Sequence, residues 1–219
     1  MPGAEVKPGL LAAALAAAIS VAGPAAADDR AGDFDFYVLS LSWSPSWCEA
    51  EGEDDHPQCD GRRPYAFVLH GVWPQWERGF PAYCAGGPSG EPSRSDVARL
   101  LDIMPSPGLV RHQWRKHGTC SGLDAGDYVE LLEDAYSLVA IPRDYRRLES
   151  PLMVSPREVE RAFVAANPGL AADGIAVTCD SRRVREVRIC LTDDLEFRPC
   201  PEIDRRGCSV PRVVMPPVR

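Results

Sequence analysis

The sequence predicts an α+β protein. Segments rich in β-branched and aromatic residues lie towards both ends of the chain, and segments with helical spacing and helix-start signals lie between them. Strands and helices do not alternate as βαβ units require.

Taken in order, Phe36 to Trp43 is predicted as a buried strand ended by Pro45 and Ser46, with an acidic loop from Glu49 to Asp55. Tyr65 to Leu69 is a second strand, running into a sharp turn at His70-Gly71. Gly79 to Pro92 is rich in glycine and proline and reads as a long loop. Ser93 with Asp96 forms a capping-box start, followed by Val97, Leu100, Leu101 and Met104 at helical spacing. Leu109 to His117 is a helix, stopped by Gly118. Asp124 caps another, with Tyr128, Leu131, Leu132 and Ala135 on one face. Ser155-Pro156-Arg157-Glu158 starts a further helix that ends before Pro168-Gly169. Strands follow at Ile175 to Cys179, Val184 to Leu191 and Leu195 to Arg198.

The N-terminus points to export. Lys7 precedes an apolar run from Leu10 to Val21, and Pro24 leads into Ala25-Ala26-Ala27 just before Asp28. Residues 1–27 therefore read as a secretory signal peptide, its run too short to span a bilayer. About 190 residues remain, enough for one domain, 28–219, with a sizeable core. After signal removal no membrane association is expected, and the destination is the periplasm or the exterior.

All eight cysteines lie beyond the signal, an even count that in an oxidising compartment favours disulfides. Zinc is the competing use, but no C-x-x-C pair occurs. The net charge of −8 lacks the basic field of a tight nucleic-acid scaffold. An enzyme that grips a few phosphates and releases them is compatible with it.

Three of the 4 histidines fall in two segments, Phe67 to Gln75 and His112 to Cys120. On a helix, His112, Gln113, Lys116 and His117 share an arc of roughly 140°. One element thus presents two imidazoles, an ammonium and an amide. If His70 faces them, the cleft holds three imidazoles and needs neither metal nor other cofactor; helical zinc pairs are usually spaced four apart, not five. The matching reaction is cleavage of a phosphodiester that carries its own nucleophile, as the 2′-hydroxyl of RNA does. DNA lacks that hydroxyl and is expected to be inert. Arg111 and Arg115 fall off the arc and read as solvated charges, Trp43, Trp47 and Trp114 as packing, and His56 as a surface residue.

Leu-His-Gly-Val-Trp-Pro at 69–74 and His-Gln-Trp-Arg-Lys-His-Gly-Thr-Cys at 112–120 resemble the two active-site signatures of the ribonuclease T2 family. The opening strand and the cysteine layout fit as well. The resemblance implies an antiparallel sheet flanked by helices and metal-independent cleavage of single-stranded RNA through a 2′,3′-cyclic phosphate to 3′-phosphate ends. It makes His70 the general acid, His117 the general base, His112 a phosphate ligand and Lys116 the stabiliser of the transition state. Trp73 would stack on a base and Gln75 would contact one. Sequence proximity and the family layout together suggest the pairs Cys48–Cys59, Cys84–Cys120, Cys179–Cys208 and Cys190–Cys200.

Two positions depart from the family pattern. Gln113 stands where the second signature usually has glutamate, and Gln75 where many members have an acidic residue or asparagine. An amide hydrogen-bonds but carries no charge, so it neither raises a neighbouring imidazole's pKa nor relays a proton. The alternative to an active monomeric endoribonuclease is therefore a weakened or silent member that binds RNA or a partner. A disulfide-stapled binding protein with no RNA role is the third possibility.

Overall fold

In the computed structural model the described residues are 3, 29–53 and 56–219. Apart from residue 3, the predicted signal peptide lies outside the described residues, as do the last two positions of the acidic loop.

The elements, in chain order, are β1 (Phe36–Trp43), α1 (Ser44–Ala50), β2 (Phe67–Gln75), α2 (Arg94–Leu100), α3 (Pro107–Lys116), α4 (Ala125–Leu138), α5 (Arg143–Arg146), β3 (Leu152–Val154), α6 (Pro156–Ala166), β4 (Ile175–Cys179), β5 (Val184–Leu191), α7 (Pro201–Arg205) and β6 (Val213–Met215). A 3₁₀ turn, Gly118–Cys120, follows α3. Four strands form an antiparallel sheet in the order β2-β1-β5-β4, and β3 pairs with β6 in a separate ribbon. The architecture is the predicted α+β arrangement of an antiparallel sheet flanked by helices.

Alternation along the strands assigns the two faces of the sheet. Tyr37, Leu39, Leu41 and Trp43 of β1 join Val187, Ile189 and Leu191 of β5 in the main core. Against them pack Val110 and Trp114 of α3, Tyr128 and Leu132 of α4, and Val159 and Phe163 of α6. Phe36, Val38, Trp73 and Cys190 form a smaller cluster. That second side carries the polar groups described below.

The helix starts follow their sequence signals. Capping boxes close α2 at Ser93 and α6 at Ser155, and Asp124 accepts from the first backbone N–H groups of α4. Ser106 caps α3 with Pro107 in its first turn, two residues ahead of the predicted start. All four suggested disulfides are present.

Several expectations need correction. Pro45 does not merely end β1; it sits in the first turn of the short helix α1, where a proline is favoured. Met104 lies beyond α2, buried in the following turn. Leu195 to Arg198 forms no strand, only an isolated bridge from Leu191 to Phe197. Gly118 does not stop α3 by a left-handed conformation, because it is absent from the positive-φ residues. Its requirement is close packing: a Cβ there would lie 2.4 Å from Trp114 and 2.8 Å from Tyr128.

Candidate active site

The predicted turn at His70-Gly71 is instead a β-bulge inside β2. Ser40 pairs with Gly71 while Leu41 pairs with Leu69, so His70 is the extra, unpaired residue. In a regular strand His70 and Trp73, three apart, would face opposite sides of the sheet. The bulge resets the alternation. Leu69 and Val72 therefore stay in the main core while His70 and Trp73 meet edge to face on the other side, their centroids 5.2 Å apart.

Helix α3 supplies the facing wall. Val110 and Trp114 fix it to the core, with the Trp114 indole donating to the Gly90 carbonyl at 2.7 Å. A cavity of about 280 Å³ opens between helix and sheet, lined by His112, Gln113, Lys116 and His117 opposite His70 and Trp73. The four residues of the predicted helical arc thus meet the first signature at one site. Arg111 and Arg115 lie off it and pair with Glu91 at 3.9 and 3.2 Å. Lys116 has no carboxylate partner among the described residues, which leaves its ammonium for an anion.

Gln113 is 2 % exposed and accepts the Trp73 indole N–H at 2.7 Å. Gly71 makes this approach possible, since a Cβ on it would lie 2.3 Å from the Gln113 oxygen. Trp73 is itself buried, stacked on His117 at 5.2 Å and 26°, with the Arg188 guanidinium 5.2 Å from its centroid. Gln75 lines the same cavity, its amide donating to the Pro74 carbonyl at 2.9 Å.

The imidazoles differ in surroundings. Burial pushes His117 down to about 3, helped by the positive neighbours Lys116, His70 and His112, so its ring is neutral over most of the pH scale. Its Nδ1 is buried without a partner. His112 is exposed and also shifted down, by partial desolvation first and then by Lys116, Arg115 and His70. His70 engages Glu186 of β5: Nδ1 lies 2.5 Å from the carboxylate. Burial alone would raise the Glu186 carboxyl, but His70 and Arg188 hold it at about 2.

Sequence reasoning missed three contributors. Glu186 and Arg188 were read only as part of a strand; their alternation with the core residues Val187 and Ile189 is the available signal. Phe80, in the glycine-rich loop, is 46 % exposed and lies 6.2 Å from His117. That loop is clamped to the end of α3, where the Tyr83 N–H donates to the Lys116 carbonyl at 2.9 Å and Cys84 bonds Cys120.

A second cavity of about 560 Å³ adjoins the first, with His70 and His112 lining both. Trp47 and His56, expected as packing and surface, line this second space and contact each other edge to face at 4.8 Å.

The Ribonuclease T2 family model matches residues 34–200, spanning both signatures and the sheet. A ribonuclease of Aeromonas hydrophila is 36 % identical over 186 residues, covering 77 % of this chain and 76 % of the relative. Among solved structures, trichomaglin, described as an S-like ribonuclease, superposes with a TM-score of 0.68 at 19 % identity, over 85 % of this chain and all 100 % of that one. RNase NT in complex with 5′-AMP gives a TM-score of 0.61 at 21 % identity, over 84 % of this chain and 99 % of that one. The structural likenesses establish the fold and the sequence match covers both signatures, so the chain belongs to the ribonuclease T2 family.

Proposed function

We propose that this T2-type endoribonuclease cleaves single-stranded RNA by transphosphorylation, with His117 as general base and His70 as general acid. The observation that carries the reading is the meeting of a neutral, buried imidazole and a carboxylate-paired imidazole across one cavity. His117 takes the proton of the 2′-hydroxyl, whose oxygen bonds to phosphorus. The bond from phosphorus to the 5′-oxygen breaks, and His70 gives that oxygen its Nε2 proton. The product is a 2′,3′-cyclic phosphate, which water opens to a 3′-phosphate with the two roles reversed.

Lys116 and His112 hold the phosphoryl oxygens, where a fixed positive charge counts most as negative charge builds. Desolvation and then the positive neighbours lower His112, and a phosphate bound between it and Lys116 opposes the second of these effects. Trp73 and Gln75 wall the nucleoside side of the first cavity, and the exposed ring of Phe80 offers the more accessible stacking face. The second cavity takes the nucleoside beyond the scissile phosphate, because His70 and His112 stand at the junction. DNA is inert for want of the 2′-hydroxyl, and the chemistry draws on no cofactor.

Residues 28–219 act as one catalytic unit after removal of 1–27, as a monomer. Four disulfides suit an oxidising compartment, periplasmic or extracellular. Among the described residues no helix is long and apolar enough to cross a membrane.

The test is labelled single-stranded RNA incubated with the protein in excess chelator. Cleavage is expected, and its loss on His117→Ala. Binding without cleavage would favour a silent member, and undiminished cutting by His117→Ala would overturn the assignment of the base.

A further inference from the structure

The carboxylate that the second signature lacks at Gln113 is present on the opposite wall of the site. Glu186 projects from β5 beside His70, with its side chain only 12 % exposed. Both of its oxygens are committed. One meets His70 Nδ1 at 2.5 Å, and the other accepts from the Arg188 guanidinium, at 3.0 Å from Nε and 2.7 Å from Nη2. Such a two-nitrogen grip on one oxygen fixes the plane of the carboxylate and aims the free oxygen at the imidazole. The Gln113 side chain is committed to the Trp73 indole, and among the described residues it makes no hydrogen bond to an imidazole; only its backbone carbonyl accepts from a histidine, the His117 N–H that ends the helix.

We propose that Glu186 is the positioning residue of the general acid, holding the His70 ring through Nδ1 so that Nε2 faces the departing 5′-oxygen. This rests on the reading of His70 as the acid. A partner on Nδ1 selects the tautomer and orientation of an imidazole. Glu186 remains ionised throughout: in the step, the His70 Nε2 proton passes to the 5′-oxygen as its bond to phosphorus breaks, and the carboxylate takes no proton. The charged and titratable groups around His70 are Glu186, Arg188 and Arg185 on β5, His112 and Lys116 on α3 with His117 at its end, and Glu51 and His56 across the second cavity. Of the two carboxylates, Glu51 pairs with Arg185, and Glu186 is the one that meets the His70 ring.

The experiment compares two substrates with the full chain: a ribodinucleoside monophosphate, whose 5′-alkoxide needs a proton to leave, and a uridine 3′-nitrophenyl phosphate, whose phenolate does not. Glu186→Gln should lower kcat on the dinucleotide on the order of 10–100-fold with KM changed little, and the loss should shrink to within a few-fold on the aryl ester. Glu186→Asp keeps the charge but draws it back, so it should fall between wild type and Gln on the dinucleotide alone. It also serves as the deciding variant if Glu186→Gln does not fold. Equal losses on both substrates, or no loss on either, would overturn the role of Glu186. His70→Ala is the reference: it should also lose far more on the dinucleotide. If His70→Ala fell equally on both substrates, His70 would not be the acid, and the proposal would fail at that earlier step.

Discussion

Gln113 accepts the indole N–H of Trp73 at 2.7 Å, which ties the second signature to the first across the floor of the cavity. Gln113 therefore braces the site as a neutral bracket. A glutamate at this position could make the same bond and add a charge beside His117.

The first prediction follows from that charge. Gln113→Glu places a carboxylate near His112, Lys116 and His117, and a nearby negative charge favours the protonated imidazole. The pKa of the base rises, so the acid limb of kcat/KM against pH should move upward while activity persists. A limb that stays in place would show that position 113 does not couple to the base. Gln113→Ala leaves the buried indole N–H unpaired and should cost about 1–3 kcal/mol of stability, read from thermal melts.

Gly71→Ala tests the bracket from the other side. The added Cβ would lie 2.3 Å from the Gln113 oxygen and 2.4 Å from Trp73 Nε1, so both must move. Destabilisation of about 1–3 kcal/mol and a fall in kcat/KM are expected. Unaltered melting and turnover would mean that the bond is dispensable.

The acid dependence of stability has a definite sign. His117 drops from an ordinary 6.5 to about 3 on folding, so the unfolded chain takes up its proton first as pH falls. The contribution of His117 to stability is full above about pH 6.5 and declines towards pH 3. Glu186, held at about 2 against an ordinary 4.5, adds a loss in the same direction below about pH 4.5. His117→Ala should remove the first component, flattening the melting temperature between pH 6.5 and about 4. An equally steep fall in the variant would contradict it.

The Cys84–Cys120 bond closes a separation of 36 residues and clamps the Phe80 loop to the end of α3. Replacing both cysteines by alanine should cost about 3–4 kcal/mol. It should also raise KM for RNA, because Phe80 and the end of α3 lose their shared anchor. A stability loss with unchanged KM would separate the clamp from substrate binding.

Local chemistry made much of this legible in advance. Ser93, Asp124 and Ser155 announce their helices because a cap is a matter of a few adjacent residues. The arc of His112, Gln113, Lys116 and His117 follows from helical geometry alone. The bulge at His70 was not legible, because it exists only in the register between β2 and β1. Glu186 was hidden for a related reason: its meeting with His70 bridges 116 residues and depends on β1 lying between β2 and β5. The ribbon of β3 and β6, three residues each, has too short an alternation to announce itself.

In the proposed reaction the RNA's own 2′-hydroxyl attacks its phosphodiester. Phosphorus-31 NMR of a ribodinucleotide digest in excess chelator tests it most directly. A 2′,3′-cyclic phosphate resonance is expected to appear first and then yield to a 3′-phosphate. Direct formation of 5′-phosphate ends, with no cyclic intermediate at any time, would contradict it.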